Sequence, residues 1–300
     1  MTENSVHLFD RALLRRRRDR AAFRADTDFL FDHAAGFLAE RLEDVTRAFP
    51  RVLDLGSRHG PLNETLTGRA GTELVIRSDL SAAMLARTTG PAFAADEEWL
   101  PVKEESLDLI VSNLALHWAN DLPGALIQIS RALKPDGLFL ATLLGGETLA
   151  DLRAVLLEAE ATIEGGAAPR VSPFVDVRDA GGLLQRAGFA LPVADIDRVR
   201  VSYQSALKLM ADLNAMGESN ALVERSRKPL RRETLMEAAR LYHARFGDGP
   251  IEARFDVVTL TGWAPHPDQQ KPLKPGSAAM KLADALGTTE HPTGEKPGRG

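Results

Sequence analysis

The chain has 300 residues, of which 44% are hydrophobic, and a formal net charge of -5. This length and composition suffice to bury one substantial core, and the acidic balance argues against general binding to nucleic acid, which needs a dominant basic surface. There is no cysteine, so disulfide bonds, thiolate metal sites and covalent cysteine catalysis are excluded.

The sequence carries no signal for membrane insertion or secretion. No segment approaches the roughly 18 apolar residues of a membrane span, and the first residues lack the apolar core of a secretory signal. The acids Asp10 and Asp19 argue against a mitochondrial presequence. We therefore expect a cytoplasmic protein without a membrane span, which reaches a membrane only peripherally, through a complex.

Residues 1–49 predict a helical arm. Residues 8–24 have helix-forming composition, and residues 29–49 carry apolar side chains at helical spacing until Pro50 ends the pattern. The first 24 residues contain seven arginines and three acids, so they carry 7 − 3 = +4. For residues 15–18, four consecutive arginines, a solvated helical face is expected, with docking to an acidic partner as the alternative.

Apolar strand candidates then alternate with segments of helical length, which predicts parallel β/α units. The candidates lie at residues 51–55, 73–76, 107–112 and 138–143. Two later candidates, residues 193–201 and 251–263, flank a helical stretch over 205–245 and are expected to pair antiparallel at the sheet edge.

These elements predict one domain over residues 50–265. Its first half, residues 50–145, is expected to bind a cofactor, and insertions over about residues 146–250 to cover a substrate. Residues 266–300 are rich in Pro, Gly and Lys and are expected to be disordered in isolation, apart from a short helix over 278–286.

Glycines and acids follow the predicted strands, where open parallel sheets bind ligands. Gly56 and Gly60 follow the first strand, and Asp79 ends the second, where a carboxylate can accept both hydroxyls of a ribose. Asp96 is positioned to accept from an adenine amino group. Each motif alone is weak, because Gly and Asp at strand ends commonly form turns.

The order of the motifs is more specific than any one of them. After the acids come a strand ending in Asn113-Leu114-Ala115-Leu116-His117-Trp118 and then the segment over residues 131–138. In this order the chain resembles a class I S-adenosylmethionine-dependent methyltransferase over residues 50–145. The resemblance implies a Rossmann-like α/β fold, with a mostly parallel seven-stranded sheet, an antiparallel edge strand and helices on both faces.

The same resemblance implies S-adenosylmethionine as the cofactor. The implied cofactor-binding residues surround its methionine part, its ribose and its adenine, and they are Asp54, Gly56, Ser57, Arg58, Gly60, Asp79, Leu80, Asp96, Glu97 and Asn113. Ser57-Arg58 stands where many relatives have Cys-Gly. Arg58 either clamps the cofactor's carboxylate or weakens binding through its bulk, and we expect a tolerated substitution.

Three further segments resemble a narrower family, the NADH-ubiquinone oxidoreductase (complex I) assembly factor 5 proteins of mitochondria and their bacterial relatives. They are Leu8-Phe9-Asp10-Arg11, residues 212–220 and residues 255–263. The resemblance implies a protein substrate, a peripheral-arm subunit of complex I in which an arginine is hydroxylated. Two alternatives stay open: methyl transfer to a small carboxylate or acyl-carrier substrate, and a non-catalytic assembly chaperone.

His117 is the candidate catalytic base, because it follows the fourth strand and imidazole titrates near neutrality; the alternative is that His117 and Trp118 only pack the fold. Glu218, Ser219 and Asn220, with Trp118, are candidate substrate ligands, and Glu218 is also a catalytic candidate, because a carboxylate fits a guanidinium. The alternative is a helix end capped by a glycine. No metal site is expected.

Overall fold

The computed structural model describes residues 7–24, 27–247, 249–269, 280 and 282–289. The chain forms two compact units, one ending at Pro265 and the other beginning at His266. In the second unit the described residues include one short helix, Leu282–Ala285, within the predicted tail helix. The rest of the predicted tail beyond residue 289, and residues 270–279 and 281, lie outside the described residues.

Seven strands form a single sheet in the first unit. They are β1 (Arg51–Leu55), β2 (Leu74–Asp79), β3 (Ala92–Ala94), β4 (Leu107–Asn113), β5 (Leu133–Gly145), β6 (Ala190–Tyr203) and β7 (Ile251–Trp263), in the spatial order β3-β2-β1-β4-β5-β7-β6. The first five strands pair in parallel, and β7 runs antiparallel to both β5 and β6. The predicted Rossmann-like sheet with antiparallel pairing at one edge is confirmed.

Nine α-helices, and a 3-10 helix over Leu116–Trp118, surround this sheet among the described residues of the first unit. They are α1 (Arg11–Ala21), α2 (Phe29–Glu43), α3 (Asn63–Gly68), α4 (Ala82–Leu85), α5 (Leu122–Ala132), α6 (Ala150–Glu164), α7 (Val177–Arg186), α8 (Ala206–Ala215) and α9 (Arg232–Phe246). Leu126 and Leu184, from α5 and α7, pack with Leu53 on one face, and Leu38 of α2 packs with Val52 on the other. Successive β1 residues thus enter opposite cores, as the pleat of a strand requires.

Local chemistry determines where the helices begin and end. The side chain of Asp10 accepts a hydrogen bond from Leu13 N (2.9 Å) and caps α1, so this helix begins at residue 11 rather than 8. The single helical stretch predicted over residues 205–245 was wrong, because it is interrupted after α8. Gly217 adopts φ +80° there, and Pro229 precedes α9.

The short strand β3 was missing from the predicted elements. Its three residues are an Ala-Phe-Ala segment without the apolar run that marked the other parallel strands. Within the described residues, no helix has the length and apolar character that a membrane crossing requires.

Candidate active site

The loop after β1 wraps around the end of β2. Gly56 N and Ser57 N both donate to Ser78 O, at 2.7 and 2.9 Å, and Arg58 N donates to Asp79 Oδ2 at 3.0 Å. Gly56 has φ +72°, and a Cβ there would collide with Ala115, so only glycine fits this close approach. The predicted glycine loop and the first predicted acid therefore lie together at the carboxyl ends of parallel strands.

Asp79 is fully buried at this edge. Its Oδ1 accepts from Ser81 N at 2.7 Å, and Arg18 Nη1 lies 3.5 Å from the same oxygen. The neighbouring Leu80 packs against the small apolar cluster that contains Phe9 and Trp118. The backbone around Asp79 thus fixes the carboxylate's position at the end of β2.

The other two predicted acids, Asp96 and Glu97, are held by arginines of α1. Arg11 binds Asp96 in a bidentate manner, with Nη2–Oδ1 at 2.6 Å and Nε–Oδ2 at 3.0 Å, and its Nη2 also contacts Glu97. Arg18 Nη1 donates to Glu97 Oε1 at 2.6 Å. Burial would raise the pKa of Glu97, but the charges of Arg18 and Arg11 outweigh it and lower the pKa to about 2.

The expected solvated face over residues 15–18 was wrong for Arg18. Arg15 and Arg16 are exposed, whereas Arg18 is 0% exposed, because it faces two carboxylates at the strand ends. The sequence offered one indication of this contact: many arginines lie in the N-terminal arm, while the rest of the protein is acidic. The contact itself depends on tertiary structure and has no local pattern.

Asp54, near the end of β1, is buried without a partner. Its side-chain oxygens accept no hydrogen bond from any described residue, and the same is true of the buried hydroxyls of Ser57 and Ser78. Burial raises the pKa of Asp54 to about 7. The positive charge of Arg77 opposes this rise, and the negative charge of Asp79 adds to it. Because buried polar groups are normally satisfied, these atoms fit a polar ligand such as the amino, carboxylate and hydroxyl groups of S-adenosylmethionine.

Arg58 is directed to a carboxylate of the chain itself. Its Nη1 donates to Glu218 Oε1 at 3.0 Å and its Nη2 to Met216 O at 2.5 Å, and the guanidinium carbon lies 3.7 Å from the Phe31 ring centroid. Its backbone has φ +50°, the left-handed region that favours glycine. Its guanidinium is therefore committed to Glu218 and Met216, and Nε alone has no partner among the described residues.

Asn113 has a structural role at the end of β4. Its Nδ2 donates to Phe31 O at 2.8 Å, and its Oδ1 accepts from Thr142 Oγ1 at 2.7 Å. The side chain thus ties α2 to β4 and β5, and its part in cofactor binding stays a prediction.

Glu218 brings the candidate catalytic residues together. Its Oε2 accepts from Trp118 Nε1 at 2.8 Å and lies 3.2 Å from His117 Nε2. Burial would raise the pKa of Glu218, but the hydrogen bond from His117 and the charge of Arg58 outweigh it and lower the pKa to about 2. Glu218 is therefore a carboxylate at neutral pH, and it orients the imidazole and the indole.

The imidazole of His117 is held at one nitrogen only. Nδ1 is buried and makes no hydrogen bond to a described residue. When Nε2 carries the proton that is donated to Glu218, Nδ1 presents a lone pair, as a general base requires.

A cavity of about 690 Å³ adjoins Trp118 and Glu218. Leu152, Phe174 and Phe255 are among its apolar walls, and five cations contribute to its lining: Arg17, Arg170, Arg225, Arg227 and Lys228. Its size lies within the range of small-molecule and side-chain binding sites.

Ser219 and Asn220 also line the cavity, but their polar atoms are partly used by the fold. The carbonyl oxygens of both residues accept from Arg17 Nη1, at 2.5 and 2.6 Å. Asn220 Nδ2 donates to Pro169 O at 2.7 Å. Among the described residues, no three His, Asp or Glu side chains come together in a group that could hold a metal ion.

Comparison with known proteins gives one family match and several full-length relatives. Residues 53–141 match the methyltransferase domain family. The chain is 41% identical over 292 residues to the zebrafish (Danio rerio) protein named arginine-hydroxylase NDUFAF5, mitochondrial. The aligned region covers 94% of this chain and 91% of the relative. It is also 34% identical over 289 residues to malonyl-[acyl-carrier protein] O-methyltransferase of Methylovorus sp., covering 90% of this chain and 96% of the relative.

Solved structures show the same fold at lower identity. A putative methyltransferase from Bacillus halodurans has a TM-score of 0.54 and 14% identity, covering 77% of this chain and 98% of the other.

Proposed function

Because the chain belongs to the class I S-adenosylmethionine methyltransferase-fold family that includes the arginine-hydroxylase NDUFAF5 proteins, we propose that it modifies an arginine of a protein partner, with S-adenosylmethionine as its cofactor. The partner we propose is a subunit of respiratory complex I during assembly, as the family resemblance implies. The name of the relatives makes hydroxylation the expected modification; it inserts one oxygen atom into a C–H bond and needs an oxidant, such as dioxygen with a two-electron donor, in addition to S-adenosylmethionine.

The cofactor part of the proposal rests on the edge formed by the carboxyl ends of β1, β2 and β3. Asp54 and the Ser57 hydroxyl would meet the methionine part, Asp79 the ribose, and Asp96 with Glu97 the adenine. Bound S-adenosylmethionine supplies a methyl group activated by a sulfonium. The unpartnered buried oxygens of Asp54 are the observation of this structure that supports a polar ligand here.

The substrate part rests on one observation: the Glu218 region already binds a guanidinium. Arg58 is held by a carboxylate, a carbonyl and an aromatic face, namely Glu218, Met216 O and Phe31. These three groups are a chemically complete set for arginine, combining a charge-assisted bond, a second acceptor and a cation–π contact. Because Glu218 lines the cavity, a substrate arginine that entered it would compete with Arg58 for the same carboxylate.

His117 is the residue that we propose for proton removal. A protonated guanidinium is a poor nucleophile, so methylation at its nitrogen would benefit from a base that takes its proton. Glu218 fixes the imidazole through Nε2 and leaves Nδ1 with its lone pair. Because Nδ1 is buried and His117 is not among the described residues that line the cavity, transfer of the substrate's proton to it requires a rearrangement that exposes the imidazole.

Intact mass of the partner tests this function. The gene is deleted in a host that has complex I, and the peripheral-arm subunits are compared with and without complementation. Loss of a one-oxygen increment on an arginine supports hydroxylation. Loss of a one-methylene increment supports methylation, and unchanged masses with failed assembly favour a chaperone.

Complementation with Glu218→Ala separates the site from the fold. We expect the modification to be lost, while Glu237→Ala, a partly exposed acid of α9, restores it fully. An unchanged modification in a folded Glu218→Ala protein would remove Glu218 from the substrate site.

A second candidate function is methyl transfer to an acyl-carrier substrate, and the cations of the cavity favour it. Arg227 and Lys228 are exposed, and no ion pair of either is among those the structure describes, so they would meet the anionic groups of a carboxylate-bearing thioester on its carrier. Methyl transfer to a malonyl carrier thioester, assayed with purified protein, tests it. If methyl transfer to the malonyl carrier falls in Arg227→Glu and in Lys228→Glu, and the wild type does not modify an arginine peptide, the result selects this function over the first.

A further inference from the structure

Two arginines of α1 occupy the carboxylates that are assigned to the cofactor. Arg18 lies against Glu97 (2.6 Å) and Asp79 (3.5 Å), and Arg11 binds Asp96 and Glu97. All three acids would otherwise accept hydrogen bonds from the ribose hydroxyls and the adenine amino group. The guanidinium groups of α1 therefore bind the same carboxylates that a nucleoside would use as hydrogen-bond acceptors.

Two of the three occupied acids, Asp79 and Glu97, are closed to any ligand in this arrangement, whereas the side chain of Asp96 is 23% exposed. The side chains of Asp79 and Arg18 are 0% exposed, and that of Glu97 is 1% exposed. A nucleoside cannot reach an acceptor that has no accessible surface unless the side chain covering it moves. For Glu97 the covering side chains are Arg18 and Arg11, and for Asp79 it is Arg18, together with the backbone N–H groups of Ser81 and Arg58.

Arg18 is itself incompletely satisfied in this position. Its Nε and Nη2 are buried and make no hydrogen bond to a described residue. Burying guanidinium donors without partners is unfavourable, because they lose hydration without regaining hydrogen bonds. The contact of α1 with the acids is thus opposed by a penalty that is relieved when Arg18 returns to water.

The same helix also holds the substrate side. Arg17 donates to the carbonyl oxygens of Ser219 and Asn220, and Asp10, the cap of α1, pairs with Arg225 at 3.3 Å. The Phe9 ring lies edge-on to Trp118, with centroids 5.2 Å apart. Movement of α1 would therefore alter the lining of the cavity as well as the acids.

We propose that α1 is a self-occluding strap: in the ligand-free protein Arg11 and Arg18 fill the cofactor's acceptors, and S-adenosylmethionine binds by displacing them. Displacement loosens the hold of Arg17 on Ser219 and Asn220, so that cofactor binding precedes opening of the substrate cavity. Arg18 is then the residue that sets cofactor affinity. This inference rests on the proposed assignment of Asp79, Asp96 and Glu97 to the cofactor.

Hydrogen exchange of the full-length wild-type protein, with and without S-adenosylhomocysteine, tests the strap without any substitution. The amides of residues 11–21 and 217–222 are expected to exchange faster when the ligand is bound, while those of β4 and β5 do not. Unchanged or slower exchange in residues 11–21, at saturating ligand, overturns the proposal, because the arm would then stay in place or help to hold the ligand.

Calorimetric titration of Arg18→Gln with the same ligand gives the second measurement. Removing the competitor is expected to tighten binding by about tenfold, the equivalent of one charge-assisted hydrogen bond. Arg15→Gln, an exposed position on the same helix, is the matched control and should bind as the wild type does.

The two measurements also separate this inference from the proposed function. Binding that is equal or weaker in a folded Arg18→Gln protein overturns the strap alone and leaves the cofactor site in place. Absence of binding in the wild type and in both variants overturns the cofactor site and the strap together.

Discussion

Buried carboxylates at the strand ends carry pKa shifts in opposite directions. Burial dominates for Asp54 and raises its pKa to about 7, whereas arginine or histidine partners overcome burial for Glu97 and Glu218 and lower their pKa values to about 2. The difference lies in the neighbours, because all three side chains are almost fully buried. Each pKa shift makes the free energy of unfolding depend on pH, over the interval between the ordinary and the shifted pKa of that carboxyl group.

Asp54→Asn should stabilise the ligand-free protein at alkaline pH. Because the folded-state pKa of Asp54 is raised above its ordinary value, ionisation disfavours the folded state, and stability is lost as pH rises from about 4 to about 7. Removing the charge should recover on the order of 4 kcal/mol at pH 8 and little at pH 4. Urea denaturation at both pH values measures this, and equal stability of the two proteins at pH 8 would contradict an unpaired buried Asp54.

Glu218→Gln should destabilise the protein most strongly near neutral pH. The substitution leaves Arg58 buried without its carboxylate, which costs about 3 to 5 kcal/mol for buried pairs. The folded-state pKa is lowered, so the charge's contribution is full above about pH 5 and declines as pH falls toward 2. The difference between variant and wild type in the free energy of unfolding, measured by urea denaturation, should therefore become smaller below pH 5.

Glu237→Gln is the control for that comparison. Glu237 also pairs with an arginine, Arg240 on the same helix, but the pair is exposed to solvent. We expect no measurable change in unfolding midpoint. A Glu218→Gln protein as stable as this control at pH 7 would show that the buried network contributes nothing.

At the scale of elements, α1 depends on the residue that caps it, Asp10, for its helical form. The helix has four consecutive arginines and little apolar surface, so its stability comes from the Asp10 cap and from contacts with the strand ends. Helix α5 begins with the same type of cap, Asp121 accepting from Gly124 N at 2.8 Å.

Asp10→Ala should therefore loosen α1 selectively. Loss of an aspartate cap costs about 1 kcal/mol. We expect faster hydrogen exchange in residues 11–21, whereas Asp121→Ala, with the same loss at α5, should leave those amides unchanged. If both variants leave exchange in α1 as it is in the wild type, the cap does not determine the stability of the helix.

The periodicity of apolar residues predicted most helices and strands, and the order of the motifs predicted the site at the strand ends. Apolar runs indicated β1, β2, β4 and β5, and the residues after them, Gly56 and Asp79, meet as the parallel arrangement requires. The parts that could not be predicted depend on contacts distant in sequence. Arg18 reaches Glu97, 79 positions away, and Arg58 reaches Glu218, 160 positions away, and neither pairing leaves a local pattern.

At the scale of the whole molecule, the sheet brings two functions to one side. The ends of β1 and β2 and the segment after β3 carry the proposed cofactor acids, and the segment after α8 carries Glu218 beside Trp118. Arg58 joins the two, because its backbone N binds Asp79 and its guanidinium binds Glu218. The proposed reaction requires this proximity of cofactor and substrate.

Calorimetric titration of the full-length protein with S-adenosylmethionine tests the central claim most directly. We predict one-to-one binding for the wild type and a loss of about tenfold or more in Asp79→Asn, because a charged acceptor for the ribose is removed. Asp195→Asn, a half-exposed acid on β6, should bind as the wild type does. Absence of heat and of thermal stabilisation at millimolar S-adenosylmethionine would contradict the account.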